Sequence, residues 1–484
     1  MALRVRVTRL ALFGLFLTVT VAGVLILLSR SSQPPEIVPN IAAASGPKGN
    51  PDRPNILLIS VDTLRADHLG LYGYERSTSP RIDEWFARGR VYERAYSTEA
   101  STSPSVASML TGMLPQEHGV RLHYQRLAVD VVTVPQMLGA SDYQTAAIVS
   151  NIVLTSEAMG LDRHFDYYDD FVDEKSYRAI YERGARPTTD AAIRWLDLHA
   201  DLERPHFLWL HYIDPHGPYS PPPFKPTEFS HAVELKIDAH RVPRYQHEPG
   251  VRDGREYIDR YDEEIAYTDR EIGRLLDEYV SRGLAENTLV ILTADHGESM
   301  MEHERWFTHG YQVYEEIIRV PLAITGPGIG ALRVSEPVSN MDVAPTILAA
   351  AHFDLPKALA KRVLDESPGL RNVYSEATHR GQAQWRSQVR GQQKWMMSID
   401  AESGRVLERW RYDLGADPGE THILPWADGD EFDLALVEIS SRDPDTAGVP
   451  AFFNQGTRIK APKVAPGLDA ETLEKLRGLG YVED

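Results

Sequence analysis

The residues able to do chemistry in this chain are a hydroxyl, carboxylates and imidazoles spread along its length. The stretch EASTSPSVASMLTG, Glu99 to Gly112, carries Thr102 and Ser103 just ahead of Pro104. Proline suits a first helical position because its missing N–H is one of the amides left unpaired there, and the two hydroxyls can cap the others. A hydroxyl so placed faces the positive end of the helix dipole. The amides can hold an anionic phosphate or sulfate ester while Thr102 attacks it. Asp62 in ISVDTLRADHLG and Asp295-His296 in LTADHGE offer oxygen and nitrogen donors to a divalent cation. Thr102 can join them as an alkoxide whose proton is lost on coordination. His216 in HYIDPHGPYSPP and His309 in FTHGYQVYEEIIRVP add imidazoles able to serve the leaving group or the nonbridging oxygens near neutral pH. Singly each residue is ordinary, since an Asp after a strand commonly caps a turn. His118 and His303 read as packing or surface residues.

The elements that must position these groups follow from the apolar pattern. Asn55 to Val61, NILLISV, is a continuous apolar run of strand length, as expected of a strand buried on both faces. Similar runs recur at Thr145 to Ser150, His206 to Tyr212, Thr288 to Ala294 and Val320 to Thr325. Between them lie helical patterns. Thr188 or Thr189 can cap DAAIRWLDLHA, and Tyr257 to Tyr279 carries apolar residues at helical spacing. Strands alternating with helices predict an α/β domain built on a large, mainly parallel sheet flanked by helices. Ligands in such sheets gather beyond the carboxyl ends of the strands, where Asp62, Asp295 and His296 fall. Beyond Leu370 shorter segments, Asn372 to Glu376, Lys394 to Ile399 and Val406 to Tyr412, are separated by turn signals. They predict a small antiparallel sheet, closed by a helix from about Asp469 to Leu479. Pro221 to Arg255 reads as a long loop near the substrate.

Composition narrows the partners. With 51 Lys+Arg against 70 Asp+Glu the formal charge is -19, which argues against nucleic-acid binding. Cysteine is absent, so disulfides, thiolate metal sites and a cysteine nucleophile are excluded. At the N-terminus Arg4, Arg6 and Arg9 precede an uncharged apolar run from Leu10 to Leu28. Its length matches the roughly 20 residues of a membrane-spanning helix, and the charge bias favours an N-in orientation. The expectation is a single-pass inner-membrane anchor (1–30) with the body in the periplasm; a cleaved signal and secretion is the rival. A Pro-, Ser- and Gly-rich tether (31–53) would join it to a catalytic domain (54–369) and a C-terminal subdomain (370–484).

Taken together these stretches resemble the sulfatase family of the alkaline phosphatase superfamily. RPNILLISVDTLRADHLGLYGY, SPRIDEWFARGRVYERAYS, SPSVASMLTGMLPQEHGV, HYIDPHGPYSPP, TADHGE, YEEIIRVPLAITGPG, SNMDVAPTIL, YDLGADPGET and LRGLGYVE occur in family order. The resemblance implies an alkaline phosphatase-like fold and a metal-assisted site for sulfate or phosphate esters. It also shows departures. In the family pattern Cys-x-Pro-x-Arg the Cys is oxidised to formylglycine; here Thr102 and Val106 stand at the Cys and the Arg, so formylglycine is excluded. Thr63 replaces a second metal-binding Asp, and Asn151 sits roughly where a Lys is expected, which makes it a substrate-binding candidate. This pattern is similar to the Thr-nucleophile branch of the superfamily, which includes membrane-anchored phosphoethanolamine and phosphoglycerol transferases. Carried over residue by residue, it implies Thr102 as nucleophile, Asp62, Thr102, Asp295 and His296 as ligands of one divalent ion (Mn, Zn, Ca or Mg), and His216 and His309 as catalytic contacts.

Three functions fit these residues. The first is a metal-dependent hydrolase or transferase forming a covalent phospho-Thr102, with phosphoryl transfer favoured over sulfuryl. The second is a sulfate-ester hydrolase using the Thr alkoxide directly. The third is an inactive sulfatase-like protein that binds an anionic glycan or lipid headgroup. The ester's organic part, whether glycan, lipid headgroup or small molecule, and the oligomeric state are not legible.

Overall fold

The computed structural model describes residues 53–172, 182–220, 229, 234–238, 240–248, 250–378, 383–401 and 403–426. The apolar runs enter one eight-stranded sheet: β1 (Asn55–Val61), β2 (Arg90–Tyr92), β3 (Gln144–Val149), β4 (Tyr167–Asp169), β5 (His206–Tyr212), β6 (Thr288–Ala294), β7 (Leu322–Thr325) and β8 (Leu332–Val334). Their spatial order is β8-β2-β7-β6-β1-β5-β3-β4. β1 lies between β5 and β6 and is parallel to both, and every residue of these strands is buried. That double burial is why their sequences are apolar throughout rather than alternating. Only the β7 pairings, with β6 and β2, run antiparallel. The run Val320 to Thr325 divides at Pro321, which cannot donate to a ladder. Arg319–Val320 pairs with Ala95 and Tyr96 in a separate small sheet, and Leu322–Thr325 joins the main one.

Helices α1 (Thr102–Thr111), α2 (Ala185–Leu198) and α3 (Gly254–Ser281) cover the expected helical patterns, with different starts. α1 begins at Thr102, so Pro104 is its third residue, not its first. Its missing N–H still costs nothing, because first-turn amides have no intrahelical partner. α2 begins three residues before Thr188, which lies inside the helix with Thr189. A distant carboxylate explains the shift: Asp214 Oδ2 accepts the Ala185 N–H at 2.6 Å. Thr188 instead bonds Ser150 Oγ at 2.6 Å, and Thr189 the Tyr212 hydroxyl at 2.8 Å.

The C-terminal sheet has four antiparallel strands, β9 (Val373–Ala377), β10 (Gln384–Arg390), β11 (Gln393–Ile399) and β12 (Val406–Asp413). β10 is the strand the apolar pattern does not announce, because its buried positions include Arg386, Ser387 and Gln388. The edge of β9 continues onto the backbone that leads into α1: Ala100 N donates to Glu376 O at 3.0 Å and Glu376 N to Thr98 O at 2.9 Å. Tyr96, Ala100, Ile317, Met396 and Trp410 share one apolar cluster across this seam. Among the described residues no helix is long and apolar enough to cross a membrane. The Leu10 to Leu28 run, most of the tether and the Asp469 to Leu479 helix lie outside those residues, and the Pro221 to Arg255 loop is described in part.

Candidate active site

The parallel register brings the strand ends together. Val61 is paired with Tyr212 on one side and Ala294 on the other, so Asp62 and Asp295 leave neighbouring strands at one level. α1 points its first residue at them. Thr102 Oγ1 lies 3.3 Å from His296 Nε2 and 3.5 Å from Asp62 Oδ2, with all three side chains fully buried. Ser101 makes no side-chain cap bond to α1, and Ser103 Oγ is engaged by His123 Nδ1 at 3.0 Å and the Val153 carbonyl at 3.2 Å. The expected hydroxyl caps are therefore not made. A buried helix start without a side-chain cap favours an anion in front of its amides.

Each aspartate has one oxygen held and one left over. Asp62 Oδ2 accepts from Asn151 Nδ2 at 2.6 Å and faces His211 Nε2 at 3.3 Å, while Oδ1 is buried without a hydrogen-bond partner. Asp295 Oδ1 accepts the His296 and Thr63 amides at 2.8 and 3.3 Å, while Oδ2 is likewise buried and unpartnered. His296 Nε2 sits 3.8 Å from the first free oxygen and 3.5 Å from the second. The Nδ1 of His296 faces the Gly297 carbonyl at 2.9 Å, which can only accept, so Nδ1 carries a proton and the neutral ring presents the Nε2 lone pair. Two orphaned carboxylate oxygens, an imidazole lone pair and a hydroxyl form a donor set suited to a divalent cation. Burying such oxygens without one is costly.

Gly297 owes its place to a close approach. A Cβ there would lie 2.2 Å from the Glu316 carbonyl oxygen, against which the Asp-His-Gly turn is folded.

His216 and His309 complete the pocket. Their rings are 5.1 Å apart, and His309 lies 4.4 Å from the His296 ring, centroid to centroid. The His216 Nδ1 donates to the Gly217 carbonyl at 2.8 Å, and His309 Nδ1 meets Glu298 Oε1 at 3.2 Å. Burial pulls His216 down to about 4; burial, with His296 beside it, pulls His309 down to about 3. Burial alone would raise Asp62, but the His211 hydrogen bond and the imidazoles of His216, His211 and His296 hold it below the usual carboxylate range. Burial, with Asp62 next to it, pushes Asp295 up to about 6. His296 moves above its ordinary value because Asp295 and Asp62 outweigh its burial. These opposed shifts among neighbouring groups mark a site arranged around charge.

The structure thus brings Asp62, Thr102, Asn151, His216, Asp295, His296 and His309 into one pocket. Asn151 is placed against Asp62. Two further residues belong there that sequence reasoning missed. His211 Nε2, Asp62 and Asp295 have ligand atoms within 4.8 Å of one another. Its other nitrogen meets Ser60 Oγ at 2.9 Å. Glu298, fully buried behind His309, also accepts from the Tyr219 hydroxyl at 3.1 Å. Burial pushes Glu298 up to about 7. His211 was hidden inside an apolar strand, and its position one residue from a strand end was the available signal. His118 is buried and bonded to Ser108 Oγ at 3.0 Å, and His303 pairs with Glu316 at 2.9 Å, as packing residues do.

The sulfatase family model matches residues 54–353, more than half of the chain and every residue of this pocket. The chain belongs to the sulfatase family. The ulvan-active sulfatase of Formosa agariphila is 25% identical over 339 residues, covering 65% of this chain and 65% of that protein. The chain therefore spans just under two thirds of that relative's length. The N-acetylglucosamine-6-O-sulfatase of Bacteroides thetaiotaomicron is 26% identical over 405 residues, 66% of this chain and 71% of the relative. A structure solved in complex with its substrate, D-glucosamine-2-N,6-O-disulfate, superposes with a TM-score of 0.64 at 20% identity, over 82% of this chain and 99% of that one. That likeness establishes the fold, an alkaline phosphatase-like α/β sheet with a C-terminal antiparallel sheet.

Proposed function

We propose that the chain is a metal-dependent hydrolase or transferase of anionic esters in which Thr102 is the nucleophile. The observation that carries this reading is the Thr102 hydroxyl, buried 3.3 Å from the His296 lone pair at an uncapped helix start and beside two orphaned carboxylate oxygens. Asp62, Asp295, His296 and Thr102 would hold the cation, with His211 as a further candidate donor. Bound there, it would offset charge on the ester oxygens and acidify the Thr102 hydroxyl. The Thr102 oxygen attacks the phosphorus or sulfur in line. The bond to the leaving oxygen breaks, and the Thr102 proton passes to Asp62 Oδ2, the carboxylate oxygen it faces. His216 and His309 lie where a proton can be given to the leaving oxygen; an anionic ester beside them raises the imidazole pKa values that burial lowers. Water then attacks the covalent Thr ester, or an acceptor hydroxyl does so in a transferase.

Phosphate esters are favoured over sulfate because Thr102 brings one oxygen only. Release from it requires a second displacement at the central atom, as in the Thr-nucleophile phosphotransferases that the sequence resembles. Sulfate-ester hydrolysis is the second reading, supported by the sulfatases among the relatives, which also favour a glycan as the organic part. We further infer that Leu10 to Leu28 anchors the chain, with the catalytic body outside the cytoplasm. Protease accessibility of intact against lysed cells tests that orientation. The reaction is tested by offering aryl phosphate, phosphodiester and aryl sulfate with Mn, Zn, Ca or Mg, and reading the intact mass after brief exposure. A phosphate adduct that Thr102→Ala abolishes is expected. An adduct surviving that change refutes the nucleophile, and indifference to every substrate with no metal retained refutes the reaction.

A further inference from the structure

Beside the reaction pocket runs a second cleft, of about 970 Å³, formed where the segment 240–247 faces the segment 303–312. Its charge runs against that of the chain. In a protein of formal charge -19, the described residues lining the cleft include Arg241, Arg244 and Arg305, with His240, His247 and His303, against one carboxylate among them, Glu304. Arg241 and Arg305 hold their guanidiniums against aromatic rings. Arg241 lies 4.8 Å over the Trp306 ring, with its side chain 41% exposed, and Arg305 lies 5.1 Å over the Tyr311 ring. Arg241 donates to the Glu304 carbonyl at 2.7 Å and is ion-paired with the Glu304 carboxylate at 3.5 Å, a solvent-screened pair whose acid is 89% exposed. Stacking on an aromatic face fixes a guanidinium plane and leaves its N–H edge for an oxyanion.

The cleft joins the reaction pocket along both walls. Thr308, in its lining, precedes His309 directly. Tyr245, between Arg244 and His247, stacks on His216 with centroids 6.0 Å apart and planes at 23°. The neighbouring Gln246 comes so close to the residue after His216 that a Cβ on Gly217 would lie 1.8 Å from its side-chain oxygen. A group bound between Arg241 and Arg305 thus lies against the segments that carry His309 and the ring stacked on His216.

We propose that this cleft is an anion-binding subsite that takes the further sulfate or phosphate groups of a polyanionic carbohydrate whose reacting ester lies at Thr102. The proposal deepens the reading of Thr102 as the nucleophile for an anionic ester and rests on it for the identity of the reacting group. Paired guanidinium forks match tetrahedral oxyanions in geometry as well as charge, and the cleft holds more than one such group.

Isothermal titration of the full chain in a chelator, which withholds the cation the reaction needs, with sucrose octasulfate and with sucrose as the neutral control, reads the cleft without turnover. Octasulfate binds and sucrose does not, with an affinity that falls as salt rises. Arg241→Ala/Arg305→Ala weakens it at least about tenfold, by loss of charge-assisted bonds. Glu304→Gln, which removes an opposing charge from an exposed position, tightens it about twofold. Arg88→Ala, on an exposed arginine stacked 4.0 Å over the Trp85 ring outside the cleft, leaves it unchanged. Thr102→Ala binds octasulfate as the wild type does. Absence of binding by the wild type, or equal affinity in the double arginine variant, overturns the subsite. Arginine-dependent binding by a protein inert toward every ester overturns the reaction instead and leaves the cleft standing.

Discussion

Replacing Asn151 by Asp exchanges a donor for a carboxyl at the point where Asp62 is held most tightly. In the native protein Asn151 Nδ2 donates to Asp62 Oδ2 at 2.6 Å and Asn151 Oδ1 accepts the Val153 amide at 3.0 Å, with both side chains fully buried. Asn151→Asp keeps the shape and the acceptor, and changes only what faces Asp62. Two ionised carboxylates about 4 Å apart repel by about 4 kcal/mol at an effective dielectric near 20. The introduced carboxyl can escape by keeping its proton and donating it where the amide did. Holding that proton from an ordinary value near 3.9 up to pH 7 costs about 4 kcal/mol, at about 1.4 kcal/mol per pH unit. The two routes agree in size. The folded pKa of the new group is raised, so the folded state binds more protons than the unfolded one above about pH 4 and stability falls as pH rises. Urea unfolding in the presence of a chelator is expected to place the variant about 1.5 kcal/mol below the wild type at pH 5 and about 4 kcal/mol below it at pH 7. A divalent cation at Asp62 supplies the opposite charge, so saturating Mn or Ca should narrow the gap at pH 7. A gap independent of pH in chelator refutes the electrostatic account. A gap the cation leaves unchanged refutes Asp62 as a ligand.

Lys394 is fully buried with Glu315 at 3.0 Å and Glu420 at 2.8 Å, so Lys394→Met leaves two carboxylates unpaired and is expected to cost about 3–5 kcal/mol in urea unfolding, part of which Lys394→Met/Glu420→Gln restores. Burial pulls His118 down to about 3, so the folded state binds fewer protons than the unfolded one below about 6.5 and stability is lost as pH falls. His118→Gln should flatten that loss, narrowing the difference between stabilities at pH 7 and pH 5 by about 2 kcal/mol.

What could be read in advance and what could not divide along a physical line. β1, β5 and β6 are buried on both faces, so their apolar runs are continuous, and a parallel register then fixes Asp62 and Asp295 at one edge. Thr102 was legible because a helix start has a local signature, although its first residue was not. The missed features are polar groups whose burial is justified by partners far away in the chain. His211 reads as one more residue of an apolar strand, yet it is buried against Ser60 and Asp62. β10 carries Arg386 inward because Glu376 lies 3.7 Å away on the neighbouring strand, and Glu376 is held in turn by Arg121 at 2.9 Å. The start of α2 depends on Asp214, which no pattern within the helix encodes. These long-range pairs converge on the site. Glu376 gives its backbone to Thr98 and Ala100, three residues of chain that end at Ser101 and Thr102, while Glu99 is buried beside it with its carboxyl pushed up to about 8 by that burial. The C-terminal sheet thereby fixes the backbone that leads into Thr102. On the proposed reaction, a subdomain that offers no candidate ligand among its described residues would set the angle at which the Thr102 hydroxyl meets an ester.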